Sequence, residues 1–136
     1  MIITRSSLIA VLLQKLAEIR VVNGYGCDVG QNVEYAEGIQ AEPTQDSIGL
    51  MDGLETFGIA TGQGRERVLE IVLSAAFVGN APRARATAGA QDILNWIERN
   101  KSLGIRGVSM QPQTMQTALD SLGELAEAVC ELKITY

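Results

Sequence analysis

The sequence predicts an α+β domain, a mainly antiparallel sheet with two helices packed on one of its faces. Three observations carry this. Segments 5 to about 20 and 82–99 repeat their apolar residues at helical spacing, whereas 68–78 and 128–136 alternate apolar with polar residues as half-buried strands do. The order along the chain is helix, strands, helix, strands, with no internal repeat. At 136 residues, 46% hydrophobic and 20% charged, the chain is sized for one domain over 1–136 that needs no disulfide or metal to fold. Aromatic residues are only 4%, so the core is expected to be Ile, Leu, Val and Ala.

In the first helix Leu8, Leu12, Leu16 and Ile19 share a face that Val11 and Leu13 widen, and Thr4 is placed to cap it. Asn23-Gly24 is expected to stop it, because both tolerate the left-handed conformation. Val29, Val33 and Tyr35 then alternate with polar neighbours and read as a strand. From 36 to 66 the chain is rich in Gly, Asp, Glu and Thr and reads largely as loop, with a weak strand signal at 48–54. Leu69, Ile71, Leu73, Ala75 and Phe77 give the next strand a wholly apolar face. Asn80-Ala81-Pro82 announces the second helix, with proline in its first turn and Ala86, Ala90, Ile93, Trp96 and Ile97 turned inward. Leu103-Gly104 lies beyond its end. The final strand buries Ala128, Cys130, Leu132, Ile134 and Tyr136, paired through a turn at 121–123 with a strand near 115–119.

Composition excludes several function classes. A net charge of −5 argues against sequence-independent grip on DNA, which needs surplus Lys and Arg to displace counterions. Cys27 and Cys130 fit no metal-ligand spacing and read as free thiols of a reducing cytosol. The apolar run 8–13 is short, leads into Gln14 and Lys15, and is no export signal; no stretch approaches a bilayer span.

The chain has no histidine, which removes Ser-His-Asp and Cys-His nucleophile activation and the commonest metal ligand. Two cysteines alone cannot complete a zinc site. The carboxylates Glu34, Glu37, Glu42, Asp46, Asp52 and Glu55 lie on expected strand edges and loops, where solvated acids are ordinary, and form no calcium-loop spacing. Gly24/Gly26 and Gly62/Gly64 lack the strand-to-helix context and the Lys of phosphate loops and read as turns. No catalytic, cofactor or metal residue is therefore assigned, and no cofactor is expected. Arg83 and Arg85 stand near the start of the second helix, where positive charge opposes the helix dipole. They either line a solvated face or meet an anionic partner. Trp96 is a core residue or a subunit-contact anchor.

The segment from Thr4 to Tyr35 resembles the tail terminator (tail completion) proteins of long-tailed bacteriophages. The likeness lies in an amphipathic helix followed by NGYGCDVG at 23–30 and a strand start, with Asn23, Gly24, Tyr25, Asp28, Val29 and Gly30 on the family's pattern. Cys27 stands where Thr is usual, and the family's Leu-Pro step before its second strand is absent, Pro43 lying upstream of Ile48. Detailed likeness covers about a quarter of the chain; the remainder follows the family only in its order of elements.

The resemblance implies a structural virion protein, made in the host cytoplasm and placed in the tail. It would form a ring, generally of six copies, that caps the tail tube and offers a surface to the head connector, while DNA passes through without specific binding. The expected partners are thus the chain itself, the tail tube protein and the head–tail connector protein, with no membrane. Expected contact residues are Arg83, Arg85, Glu42, Asp46 and Trp96. The neighbouring alternatives are a head-completion, connector or minor tail tube protein. A rival from another class is a small cytosolic enzyme or ligand-binding domain built on the carboxylates.

Overall fold

Segment 67–78 has one wholly apolar face, with Val68, Val72, Ala76 and Val78 beside Glu70 and Ser74 on the other, and it lies inside the sheet, paired on both sides. A computed structural model describes residues 3–36, 42–58, 65–120 and 122–136. Helix α1 (Arg5–Leu16) leads through two short 3-10 turns to β1 (Val33–Tyr35), β2 (Ser47–Phe57) and β3 (Arg67–Val78). Helix α2 (Pro82–Arg99), β4 (Ser109–Leu119) and β5 (Leu125–Thr135) complete the chain. The sheet order is β1-β2-β3-β5-β4, antiparallel throughout except for the parallel β1–β2 pair. This is the α+β architecture expected, with both helices contributing to one core on one side of the sheet.

Leu69, Ile71, Leu73, Ala75 and Phe77 of β3 face the helices, beside Ala126, Ala128, Cys130, Leu132 and Ile134 of β5. All ten are buried, as are Leu8, Leu12 and Leu16 of α1 and Ala86, Ile93, Trp96 and Ile97 of α2. Thr4 caps α1 as expected: its Oγ1 accepts from the Ser7 N–H at 3.1 Å, and Ser7 Oγ accepts from the Thr4 N–H at 2.9 Å. No helix among the described residues is long and apolar enough to cross a membrane.

Four boundaries differ from expectation. Helix α1 ends at Leu16, not near residue 20, and Asn23-Gly24 instead closes a 3-10 turn with Gly24 at φ 91°. Val29 belongs to a second 3-10 turn, Val29–Gln31, so the strand is only Val33–Tyr35. Within 36–66, residues 37–41 and 59–64 lie outside the described set, but β2 takes eleven of the others and is no weak strand. Strand β4 begins at Ser109, six residues before the expected start.

Phe77 and Gly89 fix how α2 lies on the sheet. A methyl group at Gly89 would sit 2.4 Å from Phe77 Cζ, so the ring occupies the notch that the missing side chain leaves. Arg85 stacks over the same ring with its guanidinium 5.5 Å from the centroid. Replacing a mid-helix glycine by alanine ordinarily stabilises by about 1 kcal/mol. Here the sign reverses: Gly89→Ala is expected to cost about 1–3 kcal/mol through overpacking, read as a lower urea midpoint, and adding Phe77→Leu should recover part of the loss.

Candidate functional site

The segment NGYGCDVG is the longest sequence signal that is not simple periodicity, and the fold uses every part of it. Asn23 Nδ2 donates to the Glu18 carbonyl at 2.9 Å, and the Asp28 carboxylate accepts from the Val21 N–H at 2.9 Å. Gly30 donates to the Ile19 carbonyl at 2.9 Å, and a Cβ there would lie 2.8 Å from the carbonyl oxygens of Leu16, Ala17 and Ile19. No side chain fits. Helix α2 clamps the other side: Arg99 lies 4.5 Å over the buried Tyr25 ring and donates to the Asn23 carbonyl at 3.1 Å. Burial pushes the Tyr25 phenol up, with the Arg99 charge opposing it.

Asp92 of α2 is buried beneath this loop and accepts from the Gly26 N–H at 3.0 Å through Oδ1. Its Oδ2 is buried too and has no hydrogen-bond partner among the described residues. Burial first, and then Asp92, push the Cys27 thiol up to about 12; burial pushes Cys130 up to about 11. Neither is a nucleophile near neutrality.

Of the expected contact residues, the structure brings two together within one subunit. Arg85 Nη2 pairs with Asp46 Oδ2, Asp46 Oδ1 accepts from the Val78 N–H at 3.0 Å, and Arg85 Nη1 donates to the Val78 carbonyl at 3.0 Å. The pair ties the start of β2 and the end of β3 to the first turn of α2. That answers the charge at the helix start within the chain itself. Trp96 takes the core place that its spacing offered: it is 0% exposed and its Nε1 donates to the Lys15 carbonyl at 3.0 Å. Arg83 and Glu42 are exposed, and Arg83 makes no ion pair among the described residues.

The other carboxylates divide between two places; Glu37 lies outside the described residues. Asp52 and Glu55 face the helices at the far end of β2, across a bulge, opposite Ile71 and Leu69. Arg5 pairs with both, Tyr35 donates to Asp52 at 2.6 Å, and Tyr136 to Glu55. Burial alone would raise Asp52, but hydrogen bonds from Tyr35 and Arg5 and the charge of Arg5 hold it below the usual carboxylate range. The two carboxylates thus share one arginine and two tyrosine hydroxyls. Glu34 and Glu42, with Glu127, rim a concavity of about 400 Å³ on the sheet face opposite the helices, floored by Met51, Val72, Ala76 and Leu125. Among the described residues no three Cys, Asp or Glu side chains gather as a metal site. Sequence reasoning missed Arg5, Glu127 and Asp92; the helical spacing that put Ile93 and Trp96 inward also puts Asp92 beside them.

No family model matches the chain, and no curated protein matches it. Fold and site together define a small α+β domain whose distinctive motif is a structural joint.

The two thiols carry a pH dependence. In the unfolded chain both ionise near pH 8.5, whereas in the fold they stay protonated up to about 11 and about 12. Their contribution to stability is therefore whole below about pH 8.5 and lost as pH rises toward the folded values. At pH 8 iodoacetamide should modify Cys27 more than about a thousandfold slower than a free cysteine, and rapidly once urea unfolds the chain. Fast modification of the native protein would contradict the burial described.

Proposed function

We propose that this chain is a structural, non-enzymatic component of a bacteriophage particle. In this reading it is a tail terminator, an oligomeric ring that caps the tail tube and presents a surface to the head connector. The observation that carries the reading is the state of the motif. Asn23, Gly24, Tyr25, Asp28, Val29 and Gly30, the positions that resemble the family, each have a folding role in the joint between α1, β1 and α2. Within the motif the departure is Cys27, which lies beside buried Asp92, whose Oδ2 has no hydrogen-bond partner among the described residues. A Thr hydroxyl, usual at that position in the family, would supply one. The order of elements supports the same reading, as does a chemistry without histidine.

The ring would work by surface matching between unlike faces of neighbouring copies. Arg83 and Glu42 are its available charged contacts, since Asp46 and Arg85 already neutralise each other. A net charge of −5 suits a channel that DNA traverses without being held. The concavity rimmed by Glu34, Glu42 and Glu127 is what favours the rival reading, a ligand-binding domain. Saturable binding of a small molecule by the monomer would support that rival.

Electron microscopy of the purified protein, alone and mixed with tail tubes, is the direct test. Rings seated on tube ends are expected; attachment to DNA-filled heads would move the assignment to a head-completion protein. Arg83→Glu should lower the fraction of tube ends capped by rings, counted by electron microscopy, while leaving circular dichroism unchanged, because it exchanges an unpaired charge opposing the helix dipole for one that favours it. Cys27→Thr should raise stability by about 1 kcal/mol, measured by urea unfolding, and no gain would remove the main support for the motif assignment.

A further inference from the structure

The two edges of the sheet are defended very differently. On the β1 side the edge strand has three residues, and beyond it Arg5 reaches the outer rim of β2, donating to the Gly53 carbonyl at 2.8 Å and pairing with Asp52 and Glu55. Short strands and charge are how proteins keep edges from pairing with other chains. The β4 edge begins in the same way. Met110 donates to the Lys101 carbonyl at 2.7 Å, Pro112 has no N–H to offer, and a bulge lies between Pro112 and Thr114.

From Thr114 to Leu119 these devices stop. The whole of β4, SMQPQTMQTAL, carries no charge, and no hydrogen bond from another described residue reaches the outer edge of 114–119. Residues of an antiparallel strand alternate between bonding to their neighbour and pointing away. Asp120 donates to the Leu125 carbonyl, so counting back along the register turns the N–H and C=O groups of Leu119, Thr117 and Met115 outward. Their side chains stand opposite Ala126, Ala128 and Cys130, on the helix side of the sheet. Leu119 is 44% exposed there, and Leu122 in the following turn is 77% exposed.

We infer that this edge pairs with the same edge of a second copy of the chain, antiparallel, about a two-fold axis at Thr117. The strand is complementary to its own reverse. With Thr117 opposite Thr117, Met115 of one copy meets Leu119 of the other on the helix side, and Gln116 meets Ala118 on the open side. The outward groups of positions 115, 117 and 119 then exchange two backbone hydrogen bonds per pair. Thr–Thr and apolar cross-strand pairs both favour the arrangement, and no like charges meet. The β2 edge of another copy fits worse, because Arg5, Asp52 and Glu55 occupy it. Neighbours in a cyclic ring meet through unlike surfaces. The contact therefore belongs to the protein away from a ring, and the inference does not rest on the ring reading.

The test uses the full chain in sedimentation across a dilution series. The wild type is expected to form a dimer, and Thr117→Lys, which sets two ammonium groups across the axis, to weaken dimerisation about tenfold or more with unchanged circular dichroism. The N–H of residue 117 points away from β5, so the substitution leaves that ladder intact. Thr117→Cys gives an independent reading. Facing residues of a hydrogen-bonded pair have Cα atoms about 5.5 Å apart, within disulfide range, so this variant should cross-link to a dimer under mild oxidation far faster than the α2 surface variant Thr87→Cys. A wild type that stays monomeric, a Thr117→Lys protein that dimerises as the wild type does, or cross-linking no faster than the control would each overturn the inference. Failure of rings to cap tail tubes would leave it standing.

Discussion

The fold depends on how the end of α1 is satisfied. A helix leaves its last carbonyls without partners, and in the interior each must be met. Here the Lys15 carbonyl accepts from the Glu18 N–H and also from the indole N–H of Trp96, and Gly30 comes in so close that its N–H takes the carbonyl of Ile19, in the turn just after the helix. One residue lies on α2 and the other ends the NGYGCDVG segment. Meeting those carbonyls therefore locks α1, the motif and α2 into one joint. Leu16, Ile19, Val29 and Trp96 exclude water from it, which strengthens each hydrogen bond inside. Both helices are thereby held over the same side of the sheet.

Seen this way, the motif's chemistry is that of folding. Its glycines make room for backbone, its Asn and Asp close turns, and its Tyr lies under Arg99. The charged residues divide similarly. Arg5, Asp46, Asp52, Glu55 and Arg85 are paired within the subunit, whereas Arg83 and Glu42 remain at the surface.

Much of the fold was legible in the sequence, and the exceptions have physical causes. β3 and β5 could be read because one face is buried along their length, leaving a clean alternation. α2 could be read from Pro82 and the spacing of Ala86, Ile93 and Trp96. β2 was obscured because a bulge breaks its period and Asp52 and Glu55 stand where apolar residues would be expected, both paired with an arginine far away in sequence. β4 was obscured because an edge strand exposed on nearly all its residues has no alternation to show. At the candidate contact residues, spacing put Trp96 inward, but no local signal could show that Arg85 and Asp46, 39 positions apart, would find each other.

The Phe77 ring in the notch of Gly89 has a geometric consequence for anything built from this subunit. Because α2 cannot roll or slip along the sheet without driving helix backbone into the ring, its outer surface and the open sheet face keep a constant angle to each other. In a closed circle of copies, any angular play within one member is multiplied around the circumference and decides whether the last copy meets the first. A single missing methyl group thus acts as the subunit's set square.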